Sequence, residues 1–214
     1  MNRLFIALAG FLILSLNGFS QSDPKAQEIL KGVSAKYKSY KSVVAAFKLT
    51  IVDQKSKKNE AAAGTITIQG SKFNFAMSDQ TVMNDGKTNW TYLKESNEVQ
   101  ISDATSNPDA ISPTTIFTMY EKGFKSKFMA EKAVGGKTVQ LIQLAPDDAK
   151  KAYFRIELSI DKAGKFVNEA KVFNKDGKII TYSIVKFTPN AAVSDDLFTF
   201  NKAKYPNVEV VDLR

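Results

Sequence analysis

Apolar and polar residues follow a helical spacing near the start of the chain and a spacing of two along most of the rest. Within residues 24–37 the apolar positions recur every three or four residues: Ala26, Ile29, Leu30, Val33 and Tyr37. This spacing predicts an amphipathic helix, and Asp23 and Pro24 are typical of a helix N-terminus. From Val43 onward apolar residues alternate with polar ones, which predicts half-buried strands.

Turn signals divide this alternating region into about eleven short strands, the last of them at residues 208–211. The signals include Asp85-Gly86, Gly135-Gly136, Ala163-Gly164 and Asp176-Gly177. Short connections of this kind place consecutive strands side by side in antiparallel order. The sequence therefore predicts one antiparallel meander, without a linker or a second domain.

An insertion interrupts the strands between residues 107 and 123. Prolines follow Asn107 and Ser112, and Ser112 is a suitable N-cap for a short helix that Gly123 would end. The apolar residues of this second helix are Ile116, Phe117 and Tyr120. We therefore expect a mainly β protein, a single unclosed and strongly curved antiparallel β-barrel that two or three helices cover.

The first twenty residues form a separate segment. Arg3 precedes an apolar stretch at residues 4–16, and the small residues Gly18 and Ser20 follow it. A membrane anchor is the alternative, but about 13 residues span only about 20 Å as a helix, whereas a bilayer core needs about 30 Å. We expect residues 1–20 to be a cleaved secretory signal peptide and residues 21–214 to be a single exported, soluble domain.

The chain contains no cysteine and no histidine. Disulfides, thiolate and imidazole catalysis, the common zinc sites and a lipid-modified cysteine are therefore excluded. The acid pairs Asp147-Asp148 and Asp195-Asp196 could serve a glycosidase or a divalent metal, but their positions favour caps for backbone amides. We predict no catalytic residue, no metal site, no cofactor and no enzymatic activity. The alternative, an enzyme acting on a lipid or a glycan, would need two acids inside the barrel.

The formal net charge is +8, which raises the question of nucleic-acid binding. The lysines are spread over all the turns and are not gathered on one element. This distribution favours solubility, and we expect no nucleic-acid partner.

Aromatic residues make up 11% of the chain, and many fall on one face of successive predicted strands. A curved sheet of about eleven strands encloses more space than its own side chains fill, which predicts a hydrophobic cavity. The predicted cavity residues are Phe47, Leu49, Ile66, Ile68, Phe73, Phe75, Met77, Trp90, Tyr92, Phe124, Phe128, Phe154 and Ile156. The residues predicted to cover it as a lid are Ile29, Leu30, Val33, Tyr37, Ile116, Phe117 and Tyr120.

Several motifs resemble one known family. Residues 85–92 read DGKTNWTY and resemble a hairpin of the periplasmic outer-membrane lipoprotein carriers of the LolA type. Residues 64–68 and 72–75 are similar to the two strands that precede this hairpin in the family, and residues 198–200 and 206–212 are similar to its C-terminal end. Residues 116–124 resemble a divergent branch of these carriers, so the resemblance covers nearly all of residues 21–214.

The resemblance implies an open barrel with a helical lid and a role as a soluble, monomeric periplasmic chaperone. Such a chaperone takes acylated lipoproteins from an ATP-driven exporter of the inner membrane and delivers them to an outer-membrane acceptor. The alternative is a periplasmic lipid- or lipopeptide-binding protein or sensor of the same fold. Two departures concern the lid: Gly70-Ser71 replaces an arginine and a proline, which leaves Lys72 as the nearest cation, and Asn207 replaces a glycine.

Overall fold

Twelve strands form one sheet in residues 22–104 and 119–214, the parts of the chain that the computed structural model describes. In chain order they are β1 (Val43–Asp53), β2 (Asn59–Gln69), β3 (Lys72–Met77), β4 (Gln80–Asn84), β5 (Thr88–Leu93), β6 (Glu98–Asp103), β7 (Phe124–Val134), β8 (Lys137–Pro146), β9 (Tyr153–Asp161), β10 (Phe166–Asn174), β11 (Lys178–Pro189) and β12 (Glu209–Asp212). Their order across the sheet is β12-β6-β5-β4-β3-β2-β1-β11-β10-β9-β8-β7. The edge strands β12 and β7 do not pair with each other, so the predicted unclosed barrel is confirmed.

The strand count and one pairing differ from the prediction. The pattern misses β4 because only Val82 and Met83 among its five residues are apolar. Strand β12 runs parallel to β6, with Glu209 opposite Glu98, whereas the other pairings between the described strands are antiparallel. The last strand thus reaches the free edge of the sheet through a long connection instead of a tight turn.

A single α-helix, α1 (Pro24–Lys38), lies in the described part of the chain and confirms the helix predicted at residues 24–37. The Asp23 side chain caps it by accepting a hydrogen bond from the amide of Lys25, at 2.8 Å. Its buried residues are Ala26, Leu30, Val33 and Ser34, which form one face of the helix. This face contacts β7 and β10, so α1 lies over the inside of the barrel.

Two predicted segments lie wholly or largely outside the described residues. The predicted signal peptide, residues 1–20, is one of them. The other is most of the second predicted helix, including Ile116 and Phe117; its end is seen as a 3-10 turn, Met119–Glu121. In the described ranges, no helix has the length and apolar character needed to cross a membrane.

The main core fills the space between α1 and the inner face of the sheet. Phe47, Ile66, Ile142 and Ile156 are at most 3% exposed there. The Phe47 ring stacks on Phe75, with ring centroids 5.0 Å apart. Each fully buried side chain of this size stabilises the fold by about 1.5–3 kcal/mol, so this cluster is the principal source of stability.

A second apolar layer covers the outer face of β3 to β5. A 3-10 turn, Asp195–Phe198, contacts β3 and β4, and Phe198 is fully buried. The Asn74 side-chain amide donates a hydrogen bond to the Leu197 carbonyl at 2.7 Å. The Lys72 ammonium lies 2.8 Å from the Asp195 carboxylate. The segment between β11 and β12 therefore gives this half of the sheet a buried face on each side.

Candidate functional site

The inside of the barrel gathers most residues of the predicted cavity. Ten of them belong to the main core or pack against it: Phe47, Leu49, Ile66, Ile68, Phe73, Phe75, Met77, Phe124, Phe128 and Ile156. Five predicted lid residues join the same cluster: Ile29, Leu30, Val33, Tyr37 and Tyr120. The side chains beneath α1 are buried or half-buried, so the interior is an apolar core, and pockets open along its margins.

The structure places Trp90 and Tyr92 on the outer face of the sheet, so their prediction as cavity residues is wrong. Val82 packs against the core and lies opposite Thr91, whereas Trp90 lies opposite Met83, on the other face. The Tyr92 ring contacts the Tyr205 ring, with centroids 4.5 Å apart. Alternation separates the two faces of β5, but it does not say which face is covered by the C-terminal segment and which by α1.

Phe154 is also wrongly predicted, because its side chain is 50% exposed on the outside of the barrel. The pairing of β9 with β10 shifts there: Tyr153 lies opposite Asn174, whereas Arg155 lies opposite Phe173. Phe154 is the extra residue of this β-bulge, which turns Tyr153 into the core in its place. A bulge leaves no mark in a period-two pattern.

The prediction names no interior residue of β8, β10 or β11. These residues are Ile142, Leu144, Val167, Ala170, Val172, Ile180, Tyr182, Ile184 and Phe187. Most of them follow the same period-two spacing as the predicted set, but register shifts at Asn168 and Val185 lengthen the steps from Val167 to Ala170 and from Ile184 to Phe187. The prediction favoured aromatic residues, whereas seven of these nine side chains are aliphatic.

Two pockets lie along the margins of α1. The first, which we call the lid pocket, has a volume of about 540 Å³ between the helix, the turn Met119–Glu121 and the start of β7. Leu30, Tyr120 and Phe124 are among its lining residues. The second has a volume of about 500 Å³ and lies between the other side of α1 and the ends of β8 and β9. Both volumes fall within the range of small-molecule sites.

The N-terminal end of α1 is attached to β7. The Asp23 amide donates a hydrogen bond to the Ser126 carbonyl at 2.8 Å, and the Phe128 amide donates to the Asp23 carboxylate at 3.0 Å. The hydrogen bonds that the Asp23 carboxylate accepts, first from the Phe128 amide and then from the Lys25 amide, hold the pKa of Asp23 below its usual value. The Lys25 ammonium lies 3.6 Å from the centre of the Phe128 ring. The start of the helix is therefore fixed to the edge of the sheet.

Glu121 attaches the C-terminal half of α1. Its carboxylate accepts a hydrogen bond from the Ser34 hydroxyl and lies 2.6 Å from the Lys38 ammonium. These contacts, with Lys38 as the larger cause, hold the pKa of Glu121 below its usual value. At this end of α1, the attachment is one polar residue at the margin of the apolar face, and its contacts are noncovalent.

A half-buried tyrosine, Tyr37, and a buried one, Tyr120, border the same site. Burial raises the pKa of Tyr37 and of Tyr120, so both stay neutral at physiological pH. The Tyr120 hydroxyl is buried beside the lid pocket and has no hydrogen-bond partner among the described residues. A buried hydroxyl of this kind can donate to a carbonyl oxygen brought in by a ligand.

One known protein family matches most of the chain. The profile of the family described as "Outer membrane lipoprotein carrier protein LolA" matches residues 38–201. The chain belongs to the LolA family. No curated protein matches this LolA-family chain.

Solved structures share the fold of this LolA-family chain at low sequence identity. An uncharacterized conserved protein from Thermus thermophilus has a TM-score of 0.61 at 15% identity, covering 88% of this chain and 99% of its own. MucB has a TM-score of 0.51 at 13% identity, covering 88% and 66%. The Mycobacterium tuberculosis lipoprotein LppX has a TM-score of 0.50 at 13% identity, covering 81% and 99%. These likenesses show the fold alone.

The lid of this LolA-family chain does not use Lys72. Gly70 takes a left-handed conformation in the turn between β2 and β3, with φ of 60°. Lys72 points to the outer face, where it pairs with Asp195. In its place, Asp23 and Glu121 hold the helix, and the sequence pattern predicts neither of them as an attachment. Asp23 is visible in the sequence only as a helix cap, and the partners of Glu121 are distant in sequence.

The acid pairs lie outside the barrel interior. Asp195 pairs with Lys72, and Asp196 lies 2.8 Å from the Lys204 ammonium. Asp148 accepts a hydrogen bond from the amide of Lys150 at 2.8 Å, as a cap does. The LolA family is described as a family of carrier proteins. The barrel interior of this chain is apolar.

Proposed function

We propose that this protein is a soluble periplasmic chaperone that binds the acyl chains of lipoproteins released from the inner membrane and carries them to the outer membrane. Residues 1–20 are then a cleaved signal peptide, and residues 21–214 act as one monomeric domain. An ATP-driven exporter in the inner membrane supplies the lipoprotein, and an outer-membrane acceptor receives it. The observation that carries the proposal is the seating of α1 on a continuous apolar interior by polar contacts near its two ends.

The energetics of the helix face suit reversible loading. Burial of Leu30 and Val33 together is worth about 3–6 kcal/mol, and each methylene of an acyl chain is worth about 0.8 kcal/mol. About four to eight methylenes therefore match the contact that α1 loses when it moves away. Longer chains bind with energy to spare, and the return of α1 offsets part of that energy at release.

Tyr120 gives the apolar site one polar contact. Its hydroxyl can donate a hydrogen bond to the ester carbonyl at the head of an acyl chain in the lid pocket. This contact would position the chains with their ends directed under α1. Affinity then comes from the apolar core, and orientation from one hydroxyl.

The test uses membrane vesicles that carry a triacylated lipoprotein. Residues 21–214 are added without detergent, and the soluble fraction is analysed by native mass spectrometry. The expected product is a one-to-one complex of this chain with the lipoprotein. The same lipoprotein with its acylated cysteine replaced by serine carries no acyl chains and should not bind.

Two phenylalanine variants form a matched pair for this test. Phe128 packs against the core, whereas Phe154 is exposed outside. Phe128→Ser should reduce the yield of the complex, and Phe154→Ser should leave it unchanged. If the chain extracts vesicle lipids but no lipoprotein, the result would contradict the proposal and support the lipid- or lipopeptide-binding alternative. Absence of any bound acyl species would contradict both.

A further inference from the structure

A third pocket lies at the end of the barrel away from the C-terminal half of α1. Gly32 of α1 faces Lys165, and Tyr40, two residues beyond the helix, contacts Phe187. These contacts place the C-terminal half of the helix at one end of β10 and β11. The third pocket lies at the other ends of these strands, with a volume of about 420 Å³. We call it the end pocket.

The end pocket has an apolar floor and a cationic mouth. Tyr153, Val172, Ile180 and Tyr182 form the floor, and all four face the interior of the barrel. Lys150 and Lys151 line the mouth, together with one carboxylate, Asp148. The lining therefore carries two cations and one anion.

The loop that carries the two lysines is fastened from both sides. Inside the loop, the Asp148 carboxylate accepts a hydrogen bond from the Lys150 amide at 2.8 Å. From the neighbouring hairpin, the Lys175 ammonium donates a hydrogen bond to the Ala149 carbonyl. The Lys175 amide donates to the Ala152 carbonyl at 2.8 Å. These contacts hold the lysines beside the apolar floor.

We propose that the end pocket binds an acyl chain that carries an anionic head group, with the chain on the floor and the carboxylate or phosphate against Lys150 and Lys151. An apolar floor favours methylene groups, and two ammonium groups favour an anion at the entrance. A free fatty acid and a phospholipid share this chemistry. The site differs from the surface under α1 and does not require lipoprotein transport.

An aromatic pair separates the end pocket from the lid pocket. Tyr153 lines the end pocket and Phe124 lines the lid pocket, and their rings stack with centroids 6.2 Å apart. The two pockets can therefore be tested separately, because different residues line each side of the pair.

The test measures binding to residues 21–214 by isothermal titration calorimetry. The probes are palmitate, palmitoyl lysophosphatidylglycerol and the uncharged monopalmitoyl glycerol, each below its micelle concentration. At least one anionic probe should bind at one site, and the uncharged probe should bind about tenfold more weakly or worse. Preference for palmitate identifies a fatty-acid site, and preference for the lysophospholipid identifies a phospholipid site. No binding by either anionic probe would overturn the proposal.

Two charge-matched variants test the role of the lysines. Lys150→Ala with Lys151→Ala should weaken anionic-probe binding about tenfold or more, whereas Lys57→Ala with Lys58→Ala removes equal charge from an exposed hairpin and should change little. Equal weakening in both pairs would overturn the proposal.

A blocked variant separates this proposal from the proposed function. Ala152 is exposed and lines the end pocket, so Ala152→Trp should fill the mouth without disturbing the core. It should abolish binding of the anionic probe and leave formation of the lipoprotein complex intact. Unchanged probe binding in this variant would overturn the proposal, whatever the lipoprotein assay shows.

Discussion

Gly64 is a residue at which the packing of the barrel leaves no room for one more carbon atom. A Cβ there would lie 2.6 Å from Cζ of Phe47 and 2.5 Å from the carbonyl oxygen of Ala76. The carbonyl belongs to the neighbouring strand and cannot move without breaking the sheet. We therefore expect Gly64→Ala to lower the free energy of unfolding by about 1–3 kcal/mol, measured by urea denaturation.

Gly32 supplies the matched control, because the same substitution there should have the opposite sign. Its added Cβ would meet only Cδ of Lys165 at 3.8 Å, an ordinary contact. Alanine is favoured over glycine inside a helix by about 1 kcal/mol. Gly32→Ala should therefore raise the free energy of unfolding, and equal losses in the two variants would contradict the steric argument at Gly64.

At the scale of elements, the position of α1 depends on the charge of Glu121. The pKa of Glu121 is lowered from its ordinary value of 4.5, so its contact with Lys38 and Ser34 stabilises the helix position above that pH. The stabilisation is lost as the pH falls through the lower folded value. Glu121→Gln should therefore speed amide hydrogen exchange in α1 about twofold to fivefold at pH 7. The difference from the native chain should shrink as the pH falls through the lowered pKa of Glu121, because the protonated carboxyl no longer pairs with Lys38.

Asp196→Asn is the control for this experiment. Asp196 also has a lowered pKa and a lysine partner, Lys204, but it lies in the C-terminal segment on the outer face. Its substitution should leave exchange in α1 unchanged. If Glu121→Gln leaves exchange in α1 at the native rate, Glu121 does not hold the helix.

The elements were predictable where their cause is local. The spacing of apolar residues and the Asp23 cap predict α1 almost to its last residue, and turn residues predict most strands. The face of β5 that carries Trp90 was not predictable, because its cover comes from the segment beyond β11. The turn of Phe154 out of the barrel depends on a bulge in the pairing with β10. Candidate-site residues could therefore be predicted within each strand. Errors arose where contacts with distant segments determine which face of the sheet a side chain occupies.

For the whole molecule, the position of Trp90 makes the two faces of the sheet distinguishable in one assay. Trp90 is the only tryptophan of the chain and lies on the outer face. An acyl ligand under α1 should leave its emission unchanged. In a Trp90→Phe background, Phe124→Trp places the reporter at the lid pocket, and its emission should change with ligand.

Phe154→Trp in the same background is the control, since it places the indole on the exposed outside. Its emission should not respond to an acyl ligand. A response at Trp90 or at this control, with none at position 124, would mean that acyl chains bind the outer face.

The strand order also bears on how the chain would acquire its fold if it is exported as proposed. The central pairing joins β1 at residues 43–53 with β11 at residues 178–189, and β6 pairs with β12 at residues 209–212. The first half of the chain therefore cannot complete its sheet until almost the last residue is available. Pairings this distant in sequence form slowly. A chain that crosses a membrane from its N-terminus could thus complete this sheet only when translocation is nearly finished.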